Sequence, residues 1–206
     1  MHGLLLAHDF ITPEEEDSLM KKIDGVEWIL SQSGRRKQDY GPRVNFKHKK
    51  VKYDRFVGMP DYADLVLERM RALSPEKLGE YQPFELCNLE YDPNRQSAIE
   101  FHQDDMWIWG NRLISVNLLS GSVMTLIEEQ QRKMVFVPMP RYSLLCMADD
   151  ARYRWKHGII AKHINVRRVA LTMREPAPAF QCGGDLYEKF GKDLIRLGNI
   201  RLPLPS

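Results

Sequence analysis

The chain has 206 residues, 43% hydrophobic and 28% charged, with a formal net charge of +2, a balance that excludes disordered and fibrous classes and allows a sizeable core, expected as one domain over residues 1–206. Its first apolar run, Leu4 to Ala7, is too short for a signal peptide, and the longest later one, Leu113 to Ile127, is broken by Ser115, Asn117, Ser120, Gly121 and Ser122, which argues against a membrane span. Cys87, Cys146 and Cys182 form no CxxC pair, so a disulfide framework is not expected and the setting reads as reducing and intracellular, cytoplasmic or nuclear.

Thr12 to Ile23 opens with Thr, then Pro13, then three glutamates, the signs of a helix N-terminus, and Leu19, Met20 and Ile23 give that helix one apolar side. Gly34 to Lys52 follows with eight basic residues (Arg35, Arg36, Lys37, Arg43, Lys47, Lys49, Lys50, Lys52) against Asp39, a local +7 that leaves −5 for the rest of the chain. Such a segment is either a solvated loop or a lid that meets phosphates or an acidic surface. Tyr62 to Leu73 carries apolar residues at helical spacing and predicts a second helix.

From Phe84 the texture changes to about eight short strands: Phe84 to Tyr91, Ile99 to Asp104, Arg112 to Leu119, Val123 to Glu128, Lys133 to Pro138, Tyr142 to Ala148, Tyr153 to His157 and Val166 to Arg174. The predicted fold is therefore mainly β, a two-sheet roll or barrel with flanking helices. Residues 1–83 supply the helices and basic segment, 84–175 the β core and 176–206 a C-terminal extension with a short helix near Asp185 to Phe190.

Side chains alternate along an extended chain, so His102 and Asp104 project to one side and can reach one ion. Two imidazoles and a carboxylate on one face of an octahedral metal leave three positions open, as in non-haem iron oxygenases. A single His-x-Asp arises readily by chance. Position strengthens it: His157 lies on a later strand that a two-sheet roll can bring back to the same place. Asp105 and His163 compete for these roles, the first with the wrong parity, the second in a loop.

In Val166 to Arg174, alternation puts Arg168, Thr172 and Arg174 on one face and Val169, Leu171 and Met173 on the other. The usual preference of arginine for solvent makes an outward face the default. Turned inward, two guanidinium groups require anions, and a dicarboxylate co-substrate gripped by the arginine fork supplies them. Tyr91, on the strand before the metal motif, can add a phenolic hydrogen bond.

His102-x-Asp104, His157 and Arg168-x5-Arg174 together resemble the signature of the AlkB-type iron(II)/2-oxoglutarate dioxygenases. The resemblance runs from Leu4 to about Glu175 and is closest to the fourth AlkB homologue subfamily, through Ser31 to Pro42, Cys87 to Tyr91, Ser97 to Ile99, Asp104-Asp105, Trp107 to Gly110, Ser115 to Ser120, Trp155 to His157 and Arg167 to Val169. It implies a double-stranded β-helix (jelly-roll) core, Fe(II) at His102, Asp104 and His157, and 2-oxoglutarate at Arg168 with help from Tyr91 and Arg174. It also implies oxidative N-demethylation, with methylated lysine in protein, actin included, ahead of N-methyl adenine in DNA or RNA. The pair Trp107 and Trp109 would then hold a methylated lysine or stack on a base, unless it is simply core. Two positions depart from the family pattern: Ala170 stands where AlkB itself has an asparagine, and Asn88 is offset by one from the usual Asn-x-Tyr spacing. The subfamily's cysteine-rich opening segment is also absent from this sequence, as in a shortened form. A reading of a different class, a non-catalytic jelly roll that binds nucleic acid through the basic segment, predicts salt-dependent binding without an iron requirement.

Overall fold

Residues 1–204 are described by the computed structural model. Strand β1 (Leu4–Ala7) leads into helix α1 (Pro13–Asp24), which starts on a capping box: the Glu15 N–H donates to the Thr12 hydroxyl at 3.2 Å, and the Thr12 N–H donates to the Glu15 carboxylate at 2.8 Å. The basic segment is not a loop. It contributes β3 (Arg36–Tyr40), which follows β2 (Ile29–Leu30), and then a hairpin of β4 (Arg43–Asn45) and β5 (Lys50–Lys52). After β6 (Met59–Pro60) come α2 (Ala63–Leu73) and α3 (Pro75–Leu78).

All eight strands expected beyond Phe84 form: β7 (Glu85–Tyr91), β8 (Ile99–His102), β9 (Trp109–Leu118), β10 (Ser122–Glu128), β11 (Lys133–Met139), β12 (Leu144–Met147), β13 (Lys156–Ile159) and β14 (Arg168–Pro176). Helix α4 (Asp149–Tyr153) stands before β13, so that strand begins three residues later than its composition suggests. The extension forms a π-helical turn over Tyr187–Gly191, then α5 (Lys192–Gly198) and β15 (Arg201–Leu202), which pairs with β6. Among the described residues no helix is long and apolar enough to cross a membrane.

Seven strands make one sheet in the order β1-β12-β9-β14-β7-β3-β2, and four make the other in the order β11-β10-β13-β8. The result is a jelly roll with helices laid on the larger sheet. One core layer joins Leu19, Ile23, Val66 and Met70 of the helices to Val116, Val169, Leu171 and Met173 of that sheet. A second layer lies between the sheets, where Leu113, Leu145 and Ala170 meet Met124, Leu126 and Ile159. Strand β14 is thus buried on both faces. Its arginine side, for which solvent is the default by residue type, instead turns into the space between the sheets.

Candidate metal and co-substrate site

Strands β8 and β13 pair so that His102 lies directly opposite His157, with ring centroids 4.4 Å apart. This close approach requires Gly158, where a Cβ would sit 2.8 Å from the carbonyl oxygen of Ile99. Asp104 follows two residues beyond the end of β8, and its carboxylate lies 3.4 Å from His102 Nε2. One ligand atom from each of these three residues falls within 4.8 Å of the others, the one such cluster found among the described residues.

The electrostatics suit a cation. His102 Nδ1 lies 2.8 Å from the carbonyl oxygen of Glu100, a contact that fixes the tautomer with Nε2 bare and facing Asp104. Burial acts to lower the His102 imidazole, but the Asp104 carboxylate and the Glu100 carbonyl leave it raised. Burial pushes the His157 imidazole down to about 4, against the pull of Asp104, so its lone pair is free at neutral pH. Burial would raise the Asp104 carboxyl, yet Arg174, with the two histidines, holds it well below the usual carboxylate range. An ionised carboxylate, a neutral imidazole at His157 and a second imidazole whose Nε2 faces that carboxylate match the donor set of a facial iron site.

The loop that carries Asp104 is held from behind. Arg152, on α4 and fully buried, donates Nη1 to the carbonyl of Asp104 at 2.9 Å, Nη2 to that of Asp105 at 2.8 Å and Nε to that of Gly110 at 3.3 Å. The Asp105 side chain accepts from the backbone N–H groups of Trp107 and Ile108, so it shapes the turn and is not turned to the metal site. His163 sits on a 3-10 turn against Phe136, outside the cluster.

Register in the larger sheet assembles the other end. Arg168 on β14 lies opposite Tyr91 on β7, and its guanidinium stands 4.9 Å from the centre of the Tyr91 ring. Across the other edge of β14, Asn117 on β9 is paired with Ala170. The Asn117 Oδ1 accepts from Arg168 Nε at 2.5 Å, while its Nδ2 donates to the carbonyls of Ser120, Met139 and Pro140. An amide beside Arg168 therefore comes from the neighbouring strand, although position 170 is alanine. Asn88 lies on the opposite face of β7, where it donates to Gln38 and Tyr62, and Leu89 faces the cavity.

Arg168 is 1% exposed, and its Nη1 has no hydrogen-bond partner among the described residues. Burial lowers the guanidinium's hold on its proton. A buried cation with an unpaired donor is costly unless an anion meets it, and a dicarboxylate is an anion of fitting shape. Arg174, expected beside it at the co-substrate, is already engaged: it donates to Glu85 at 2.6 Å and to Asp104 at 3.0 Å, and lies 5.7 Å from the centre of Trp109. It thus braces the metal carboxylate. Tyr91, His102, Asp104, His157, Arg168 and Arg174 all line one cavity of about 60 Å³, walled by aliphatic side chains from both sheets.

Asn117 and Arg152 are the site residues that sequence reasoning missed. The first lay inside a recognised stretch, Ser115 to Ser120, but nothing local tied it to Arg168. The second sits in a helix that local composition does not announce.

No protein-family model matches the chain. Over 202 residues it is 64% identical to a Caenorhabditis elegans protein described as a DNA N6-methyl adenine demethylase, covering 98% of this chain and 69% of that protein. It is 41% identical over 225 residues to human alpha-ketoglutarate-dependent dioxygenase alkB homolog 4, covering 95% of this chain and 74% of the human protein. In fold it is similar to the solved structure of OsALKBH1, with a TM-score of 0.55 at 14% identity over 84% of this chain and 98% of the other.

Proposed function

We propose, because this chain belongs to the AlkB family of iron(II)- and 2-oxoglutarate-dependent dioxygenases, that it removes the methyl group of N6-methyladenine in DNA. In this reading His102, Asp104 and His157 hold the iron, and Arg168 grips the distal carboxylate of 2-oxoglutarate with Tyr91 beside it. The observation that carries the catalytic assignment is the unpaired donor of Arg168, buried in the same cavity as the triad.

Iron and 2-oxoglutarate, when bound, would supply the chemistry, an oxidation of the N-methyl group by molecular oxygen that converts 2-oxoglutarate to succinate and carbon dioxide and lets the methyl carbon leave as formaldehyde. The chain's own residues hold and orient. Asn117 aims the Arg168 guanidinium, Arg174 and Arg152 hold Asp104 from its side chain and its carbonyl, and the apolar walls keep water from the reacting atoms. No general base is needed, because the oxidised methyl carbon leaves unaided.

The substrate rests on the 64% identity to a DNA N6-methyl adenine demethylase. Methylated lysine, actin's included, would be favoured by an aromatic cage at the cavity mouth. Trp107 and Trp109 do not offer one: Trp109 is buried against Phe84 with centroids 5.5 Å apart, and Trp107 packs edge-on to Phe180 at 5.3 Å. The test is aerobic incubation of a DNA oligonucleotide containing N6-methyladenine with iron(II) and 2-oxoglutarate, followed by digestion and mass spectrometry. Loss of the modified base with matching succinate and formaldehyde is expected, and its disappearance in His102→Ala. Turnover of a methyl-lysine peptide with the oligonucleotide left intact would overturn the substrate assignment.

A further inference from the structure

We propose, resting on the metal and co-substrate reading above, that Glu85 is a positioning residue which acts through Arg174 to set how strongly Asp104 can hold the metal. The charged side chains lining the cavity, apart from the histidines, are two cations, Arg168 and Arg174, and one carboxylate, Asp104. Iron(II) and the 2-oxoglutarate dianion bring no net charge between them, so loading the site would leave one positive charge over. Glu85 cancels it from behind the cavity wall, where its carboxylate accepts from Arg174 Nη1 at 2.6 Å.

The three groups form a chain. Glu85 on β7 lies directly opposite Arg174 on β14, so both project from one face of the larger sheet. Arg174 turns its remaining nitrogens to the metal carboxylate, with Nε 3.0 Å from one Asp104 oxygen and Nη2 3.3 Å from the other. The Glu85 and Arg174 side chains are only 15% and 17% exposed. Burial works against the Arg174 cation, yet Asp104 and Glu85 together hold it well above its ordinary value. Burial also leaves the Glu85 carboxyl raised, and Arg174 is the group that draws it back towards ionisation. A guanidinium left with Asp104 alone would direct its whole charge at that carboxylate, in competition with the metal. Shared with Glu85, it leaves the Asp104 oxygens the stronger donors. Asp39 on β3, whose charge also reaches Glu85, is matched by Lys37 at 2.5 Å and accepts from the Cys87 thiol at 3.2 Å, which leaves Arg174 to Glu85.

The fold keeps the Glu85 carboxylate in place. Gly41 follows β3, and a Cβ there would lie 2.8 Å from Glu85 Cγ and 3.1 Å from Glu85 Cβ. Glycine at this position lets the backbone lie against the Glu85 stem, which limits its swing away from Arg174. The Arg174 guanidinium is steadied in turn by the Trp109 ring, 5.7 Å from its centre. A carboxylate that orients and tunes a ligand without itself touching the ion is a common partner of a metal site.

The experiment is anaerobic calorimetric titration of iron(II) into metal-free protein, then of 2-oxoglutarate at saturating iron, with the thermal midpoint as a check on folding. Glu85→Gln keeps the size of the side chain and an acceptor for Arg174 but removes the charge. It should weaken iron(II) binding by at least about tenfold while 2-oxoglutarate affinity at saturating iron does not fall. Glu85→Asp, which retains the charge, should recover most of the loss. The double variant Glu85→Gln with Arg174→Gln should bind iron(II) more tightly than Glu85→Gln alone, a reversal that loss of a merely structural contact does not give. Gly41→Ala crowds the Glu85 stem with every charge kept, and should weaken iron(II) binding in the same direction; it decides the matter if Glu85→Gln does not fold. Unchanged iron(II) affinity in Glu85→Gln, equal losses for iron and 2-oxoglutarate, or a double variant weaker than the single one would each overturn the role of Glu85 and leave the metal reading standing. A wild-type protein that binds no iron(II) would remove the metal reading and the role of Glu85 together.

Discussion

Arg152 on α4 and Arg168 at the start of β14 are each 1% exposed, yet the protein surrounds them differently. Arg152 places three nitrogens on three backbone carbonyls and needs nothing more from outside. Arg168 has one partner, Asn117, and a terminal nitrogen with none among the described residues. Equal burial therefore carries opposite meanings. A satisfied buried cation holds the framework together, here by fixing the loop that bears Asp104. An unsatisfied one marks where a ligand is to arrive, and in this AlkB protein it lies in the same cavity as the metal triad.

That contrast can be broken by substitution, and the largest effect belongs to the satisfied residue. Arg152→Met leaves three buried carbonyls unpaired and should destabilise the protein by roughly 4 kcal/mol, at about 1–3 kcal/mol for each unsatisfied group with some relaxation. It should also weaken iron(II) binding by about 10- to 100-fold, the usual range for loss of a group that orients a ligand. Urea unfolding and anaerobic metal titration check the two halves, and a variant as stable as wild type would show that water replaces the guanidinium.

The buried histidine of the triad gives the next effect, on pH. In the metal-free protein His157 is held at about 4 against an ordinary 6.5, so the unfolded chain takes up its proton first as the pH falls. Stability is thus fully present above pH 6.5 and is lost progressively towards pH 4, by about 3 kcal/mol at most. His102, whose shift is upward, contributes with the opposite sign and trims that loss. His157→Phe should flatten the acid side of a plot of urea midpoint against pH, and an unchanged slope would contradict the assignment.

Asn117→Ala comes third. It removes the acceptor of Arg168 Nε and the donor to the carbonyls of Ser120, Met139 and Pro140, which predicts a loss of about 2 kcal/mol in stability. A drop of about tenfold in 2-oxoglutarate affinity should accompany it, read by calorimetry. The smallest effect on the fold is predicted for Arg168→Met. Replacing a poorly paired buried charge with an apolar side chain of similar length should leave the unfolding midpoint unchanged or raise it, by about 1 kcal/mol or less, whereas a large loss would assign Arg168 to the same structural class as Arg152.

Much of this architecture is legible in the sequence because it depends on local pattern. Helix α1 starts after Thr12 as expected, and the eight strands from Glu85 to Pro176 follow from alternating and β-branched runs between turn residues. His102 and Asp104 share a side by parity alone. What stayed hidden depends on partners far away in the chain. Whether Arg168 faces inward is decided by helices covering the other side of β14, and no alternation pattern distinguishes a strand with one buried face from one with two. The basic segment reads as a loop by composition, but Arg36 meets Glu90, which Arg95 and Arg167 also contact, and this pairing sits beside the β3–β7 register that makes the segment part of the sheet. Alternation puts Arg174 on the same face as Arg168, and only the positions of Glu85 and Asp104 show that its charge is already matched.

The most direct test of the account is an anaerobic titration of iron(II) and 2-oxoglutarate into wild-type protein and Arg168→Met, followed by the visible charge-transfer band of a chelated 2-oxo acid. The account predicts the band in wild type, and a 2-oxoglutarate affinity at least about 100-fold weaker in a variant that is as well folded, as expected for removal of a buried charge from its anion. Equal affinity in the two proteins would contradict it, and the unpaired guanidinium between the sheets would then need another ligand.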